Sequence, residues 1–348
     1  MSELISDPVR AVLWGGALLG LMYGVIGQWS RFCAVRGLLD WWSRGHGGRL
    51  GGFLAAMMVA LLGSQLLHIS GYVNLNETHY TAQSVSILMV PLGGLLFGLG
   101  MALANACGTR SLVLLGEGNL RSLVVLLALG VGAGMALSGV VAPLRIWLED
   151  ATRMPLPGTT LPEGLTLAGL PPTAATLTAS GLLLVILALR LAPRMRDMSL
   201  RDWIGGLIIG ALVPAGWWIT GVLGYDDFDP QRLASLTFVA PISDSLEYLM
   251  LSTGTRLQFG TVVVYGIVAG SLAMALLTGR FQWRGFEHTG QLGKAIAGGL
   301  LMGIGGVLAL GCTLGQGLTG FSTLALSSFV AIAGIIGGAR LGFRLQSS

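Results

Sequence analysis

Three cysteines, Cys33, Cys107 and Cys312, are the residues of this chain best placed to do chemistry. They are odd in number, far apart and without any CxxC or Cys/His spacing, so neither a disulfide framework nor a zinc site is expected. Each lies where an apolar stretch stops at small or polar residues and a short amphipathic stretch follows. The three stretches are GQWSRFCAVRGLLDWW from Gly27, NACGTRSLVLLGEG from Asn105 and GCTLGQGLTGFSTLA from Gly311. A fourth such interruption, FVAPISDSLEYL from Phe238, has no cysteine. A cysteine at the start of a short helix sits in positive potential beside unpaired N–H donors, and its neutral S–H is a weak, polarizable donor. That chemistry suits a soft, sulfur-bearing anion held loosely enough to be released. A buried cysteine is otherwise a small hydrophobe, but the recurrence at chain interruptions favours a functional role.

Polar neighbours extend the candidate site. Arg110, three residues after Cys107, either attracts an anion or snorkels at an interface, because an arginine at membrane depth is costly unless it is paired or used. Asn105, Thr313 and Gln316, with Gln28, either donate hydrogen bonds to an ion or cap the short helices. Arg31 and Arg36 are explained well enough by topology. His46, His68, His79 and His288 have no partner at ligand spacing.

The elements that must position these residues are membrane helices. The 348 residues are 53% apolar and 10% charged, with 55 glycines and a mean hydropathy of +0.76, outside the range of soluble domains. Apolar runs of roughly 20 residues, long enough to cross the hydrocarbon, lie near 11–29, 49–70, 87–106, 119–141, 172–192, 203–223, 257–278, 293–311 and 323–343. The fold class expected is an all-α polytopic membrane protein with about nine transmembrane helices. The first span lacks a basic segment before it and a small-residue cleavage site after it, so it is expected to be retained.

Alternating the loops across nine spans puts 15 of the 20 basic residues on one side and Arg10, Arg145, Arg153, Arg232 and Arg256 on the other. The positive-inside rule then places the N-terminus outside and the C-terminus in the cytoplasm. Acidic residues, among them the run Asp226, Asp227 and Asp229, lean to the outer side. Scattered basic residues of this kind reflect topology, and no nucleic-acid module is present. The proline-rich stretch 143–171 reads as an external loop.

Segment 93–107 (GGLLFGLGMALANAC) aligns without a gap on 298–312 (GGLLMGIGGVLALGC), with nine of fifteen positions identical, Cys107 on Cys312 among them. The chain is therefore expected to consist of two related halves, 10–141 and 203–343, joined by a linker and one connecting span over 142–202. One span between two four-span halves inverts the second in the membrane. Inverted repeats of this kind place a substrate site near the midplane, where half-helices dip back and aim their N-termini at an anion. Exposed backbone at that depth is allowed only against protein or a water-lined cavity.

SRFC around Cys33, NACGTR around Cys107 and GCTLGQGLTGFS around Cys312, in that order over nearly the whole chain, resemble the YeeE/YedE family of bacterial sulfur transport proteins. The resemblance implies an hourglass of nine spans with short half-helices in the cell inner membrane. It also implies thiosulfate uptake relayed by Cys33, Cys107 and Cys312. Thiosulfate carries a terminal sulfur for the thiols and an oxyanion end for N–H groups. Some relatives are linked to other sulfur or selenium species, and some work beside a small TusA-like sulfur carrier protein, here expected as a separate cytoplasmic partner.

Two other functions compete: a membrane-embedded thiol sulfurtransferase or oxidoreductase, and a channel for another small anion. The first needs a base that no histidine near a cysteine in sequence supplies. No GxxxxGK[ST] phosphate loop supports ATP-driven transport, no cofactor is implied, and carboxylates within the spans are sparse.

Overall fold

A computed structural model describes residues 8–81, 84–86, 88–155, 158–225, 232–286 and 288–347; the acidic run at Asp226, Asp227 and Asp229 lies outside them. The helices, in chain order, are α1 (Pro8–Ser30), α2 (Ala34–Arg44), α3 (Gly48–Ile69), α4 (Met89–Ala104), α5 (Gly108–Gly116), α6 (Leu120–Leu137) and α7 (Ala142–Thr152). They continue with α8 (Leu161–Leu167), α9 (Pro172–Leu191), α10 (Leu200–Trp218), α11 (Val239–Met250), α12 (Phe259–Leu277), α13 (Thr289–Leu308) and α14 (Leu326–Ser347). Nine helical stretches among the described residues are long and apolar enough to span a bilayer, as the sequence predicts. Their outward faces carry large apolar side chains such as Trp14, Leu18, Leu182 and Leu189, left exposed by the protein because lipid is their solvent. With no water in hydrocarbon to satisfy backbone groups, helices are the economical solution.

The 143–171 stretch is more ordered than its prolines predict. It is not a plain loop: α7 and α8 occupy much of it, and only a short antiparallel pair, β1 (Ser84–Ser86) with β2 (Arg153–Pro155), adds strand. Its prolines start helices, because Pro143 and Pro162 fall in first turns, where a missing N–H costs nothing. Thr160 and Glu163 close a capping box at α8.

Glycine decides how closely the spans pack. α4 and α13, which carry the repeated sequence, cross through bare backbone: an added Cβ at Gly93 would lie 2.7 Å from the Gly305 carbonyl oxygen, and one at Gly100 2.5 Å from that of Gly298. Beyond this crossing, Gly98 of α4 abuts α14, where a Cβ would meet the Ile335 oxygen at 2.2 Å and the Ala339 nitrogen at 2.6 Å. Its aligned counterpart Gly303 of α13 abuts α6, with Leu129 oxygen at 2.2 Å and Ala133 nitrogen at 2.6 Å. Likewise α1 packs on α12 while α3 packs on α10. Small residues are what lipid-embedded helices use to approach this way.

Candidate functional site

The site begins with one local geometry used three times. Among the described residues, four that are not glycine have a left-handed backbone: Arg31 (φ 56°), Asn105 (φ 54°), Leu310 (φ 58°) and Leu324 (φ 61°). The first three each stand two positions before a cysteine. The chain turns at that residue, passes one more, and starts a short helix from the cysteine. Each cysteine carbonyl accepts the first helical hydrogen bond, from Gly37 N–H to Cys33 (3.1 Å), Ser111 N–H to Cys107 (2.9 Å) and Gln316 N–H to Cys312 (2.7 Å). Neither Cys33 nor Cys107 makes a side-chain cap, so their thiols stand beside unpaired N–H groups at the helix start. Left-handed geometry costs L-residues roughly 1–2 kcal/mol each. Asn105 tolerates it; Arg31 and Leu310 have no such aptitude, and retained strain of this kind clusters at working sites.

The helix after Cys312 is wound as a π-helix over Gly315–Gly320, a distortion that also concentrates at functional sites. The Gly315 N–H points at Cys312 Sγ, 3.3 Å away. The start of α11, the interruption without a cysteine, converges on the same place: the Phe238 backbone is near enough to Cys312 to act on its thiol. The three thiols are 5%, 4% and 2% exposed for Cys33, Cys107 and Cys312. Cys33 and Cys107 are near enough to act on each other electrostatically. Tyr23, on α1, lies within electrostatic range of all three thiols and of Arg110, with its ring 5.9 Å from that of Phe238. Sequence reading missed Tyr23, since an aromatic inside an apolar span looks like packing; its one signal is a polar tip ten residues before Cys33.

Two cavities lie at opposite ends of α3, a helix of 22 residues and so roughly 30 Å long. The larger, about 470 Å³, has Cys33 in its wall with Asn105, Arg110 and five further arginines (Arg31, Arg36, Arg49, Arg280, Arg284) against one carboxylate, Glu117. Arg49 is held by Asp40 at 3.1 Å and Arg284 by Gln282 at 2.9 Å, but Arg110 Nη1 is buried without a hydrogen-bond partner. A wall of this charge focuses anions. The smaller cavity, about 270 Å³, is lined by Gln65, His68, Glu163 and Thr323, among others. Cys107 and Cys312 line neither cavity and are packed shut.

The other expected residues divide. Asn105 is the left-handed cap of α4 and also lines the basic cavity. Thr313 Oγ1 lies 3.5 Å from Met101 Sδ, and Gln316 donates Nε2 to the Ala309 carbonyl while its Oε1 stays buried and unpartnered. Gln28 is 1% exposed with both amide atoms unpartnered. No group of three or more His, Cys, Asp or Glu among the described residues is arranged to hold a metal ion.

Compared with known families, residues 29–341 fit the sequence profile described as Sulphur transport. The chain belongs to the sulphur transport family. As a member of that family it is a membrane transport protein rather than an enzyme. Two relatives are similar along almost their full length. The thiosulfate transporter TsuA of Spirochaeta thermophila is 26% identical over 343 residues, covering 92% of this chain and 94% of the relative. The protein of the same name from Escherichia coli is 23% identical over 342 residues, covering 94% of this chain and 92% of the relative.

Proposed function

We propose that this chain takes up thiosulfate, or a closely related sulfur anion, across the cell inner membrane through a central path formed by Cys33, Cys107 and Cys312. The observation that carries the reading is the threefold recurrence of one turn, each time delivering a thiol to the start of a short helix, with the first thiol in the wall of a basic cavity. Thiols at helix starts give the terminal sulfur polarizable S–H donors, while backbone N–H groups meet the oxyanion end. Three weak stations in series permit release at each. The full-length similarity to thiosulfate transporters supports the choice of ion.

The two halves, 10–141 and 203–343, act as inverted repeats about this path, a reading supported by the equal approach distances at Gly98 and Gly303. The N-terminus faces outward and the basic cavity opens to the cytoplasm, in keeping with the distribution of basic residues. Arg110 and Asn105 guide the ion at that mouth, and Thr313 and Gln316 line the path beside Cys312. A separate TusA-like carrier receives sulfur at the cytoplasmic face; absence of such a carrier from material co-purified in mild detergent with the cross-linked transporter would count against it.

The test is growth of a bacterium lacking thiosulfate uptake on thiosulfate as sole sulfur source, with the intact chain or its Cys33→Ala, Cys107→Ala and Cys312→Ala variants at matched membrane levels. Rescue by the intact chain and its loss in the variants is expected. Rescue by all three variants would reduce the cysteines to packing. A Cys107→Ser variant separates a sulfur-recognising path from a passive one: it should impair thiosulfate while sparing a hard oxyanion.

A further inference from the structure

Beside Cys312 lies a set of hydroxyls that no feature of the relay uses. Tyr80, on the short 3₁₀ turn His79–Thr81 between α3 and α4, is 1% exposed, yet its hydroxyl has no hydrogen-bond partner of normal geometry. An ideal Cβ on Gly315 would lie 3.3 Å from Tyr80 Oη and 2.9 Å from Thr237 Oγ1, so both hydroxyls lie against the bare face of the residue whose N–H points at Cys312 Sγ. At the other end of the tyrosine ring, Gly320 is bare in the same way, with Ser328 Oγ and Gln316 Oε1 over it, both buried and both unpartnered. Tertiary packing brings these groups together from four separate stretches.

Buried polar atoms without partners are rare, and an unmade bond to a buried hydroxyl is costly. One such atom, Tyr80 Oη, set with the Thr237 hydroxyl against the residue whose N–H faces the Cys312 thiol, suits a polar visitor. Packing alone would be served as well by phenylalanine at position 80, because the ring is enclosed and its hydroxyl, although near Thr237, makes no hydrogen bond of normal geometry. The glycines at 315 and 320 let these side chains lie directly against the helix backbone.

We propose that Tyr80 and Thr237, with the Gly315 N–H and the Cys312 thiol, form a two-part site for an oxyanion that bears a terminal sulfur: the hydroxyls and the N–H take its oxygens, the thiol its sulfur. This deepens the transport reading above and rests on it. Tyr80 becomes the residue that separates thiosulfate from sulfur ions without oxygen, such as hydrosulfide. Where the fourth interruption lacks a cysteine, Thr237 supplies a hydroxyl, so the site beside Cys312 recognises oxygen as well as sulfur.

The experiment is uptake of radiolabelled thiosulfate into proteoliposomes holding the full chain, with Tyr80→Phe, Thr237→Val, Cys312→Ser and Tyr265→Phe variants inserted at equal levels. Loss of one hydrogen bond to a charged ligand corresponds to about a tenfold or greater weakening, so Tyr80→Phe and Thr237→Val should each raise KM for thiosulfate about tenfold with a smaller change in maximal rate. Competition by hydrosulfide, which offers no oxygen, should be unchanged in Tyr80→Phe. Tyr265, whose hydroxyl donates to the Ser245 carbonyl at 3.0 Å, controls for loss of a phenol as such and should leave KM unaltered. An unchanged KM in Tyr80→Phe, or in Thr237→Val should the first variant fail to insert, overturns the proposal, as does an equal loss of thiosulfate and hydrosulfide recognition. If Cys312→Ser lowers uptake while Tyr80→Phe does not, only this inference falls; if the intact chain carries no thiosulfate, both fall together.

Discussion

Replacing Gly98 with alanine tests the packing that holds the cysteine-bearing segments in place. The new Cβ would sit 2.2 Å from the Ile335 carbonyl oxygen of α14 and 2.6 Å from the Ala339 nitrogen. A carbon-to-oxygen contact needs about 3.3 Å, so the shortfall is about 1 Å, and both opposing atoms are backbone that cannot rotate aside. The helices must part by about that distance, and a gap of 0.5–1 Å forfeits roughly a quarter to a half of each pair's dispersion energy along the seam. Overpacking of this kind costs about 1–3 kcal/mol. Gly303→Ala meets the same distances, 2.2 Å to Leu129 oxygen and 2.6 Å to Ala133 nitrogen, and should cost the same. Gly337→Ala, on the open face of α14 with nothing within 4 Å, should cost nothing and gain up to about 1 kcal/mol of helix propensity. Thermal unfolding in one detergent, read by loss of the monodisperse chromatographic peak, ranks the three. If Gly98→Ala melts with Gly337→Ala, close backbone approach is not what these glycines provide. If Gly98→Ala and Gly303→Ala differ widely, the two seams are not energetically equivalent.

Three further outcomes are expected. Arg110→Gln, which removes from the basic cavity a guanidinium whose Nη1 is buried without a partner, should leave folding intact in the same melting assay and weaken the salt-dependent component of anion uptake, so that its rate no longer falls as steeply with ionic strength. Asn105→Leu places a side chain poorly suited to the left-handed region at φ 54° and should destabilise by about 1 kcal/mol, whereas Leu310→Gly relieves comparable strain at φ 58° and should be close to neutral because the added freedom of the unfolded chain offsets the relief. Ser271→Ala removes the buried 2.6 Å bond from Ser271 Oγ to the Val113 carbonyl, which ties α12 to the helix after Cys107. It should cost about 1 kcal/mol, and melting unchanged from the parent chain would show that bond to be idle.

Much of the architecture follows from local chemistry and was legible in the chain itself. Spans long and apolar enough to cross a bilayer depend on residues close together in sequence, and the gapless match of 93–107 to 298–312 is read by comparing two such local runs. The cysteines at Cys33, Cys107 and Cys312 were visible as chain breaks for the same reason. The 143–171 stretch was misread because proline has two local meanings, breaker and helix starter, and only the backbone that follows selects one.

What the sequence left open was every relation between distant segments. Tyr23 among the thiols, Tyr80 and Thr237 over Gly315, and the six arginines around one cavity come from helices hundreds of residues apart in some cases. Hydropathy fixes that a residue is in a span, but an all-round apolar helix has no marked inner face. Which side turns inward is decided by where glycine lets two backbones meet, and that is a property of pairs of helices rather than of either one. The sequence therefore determined the spans, the breaks and the thiols; tertiary packing alone decided which polar groups meet them.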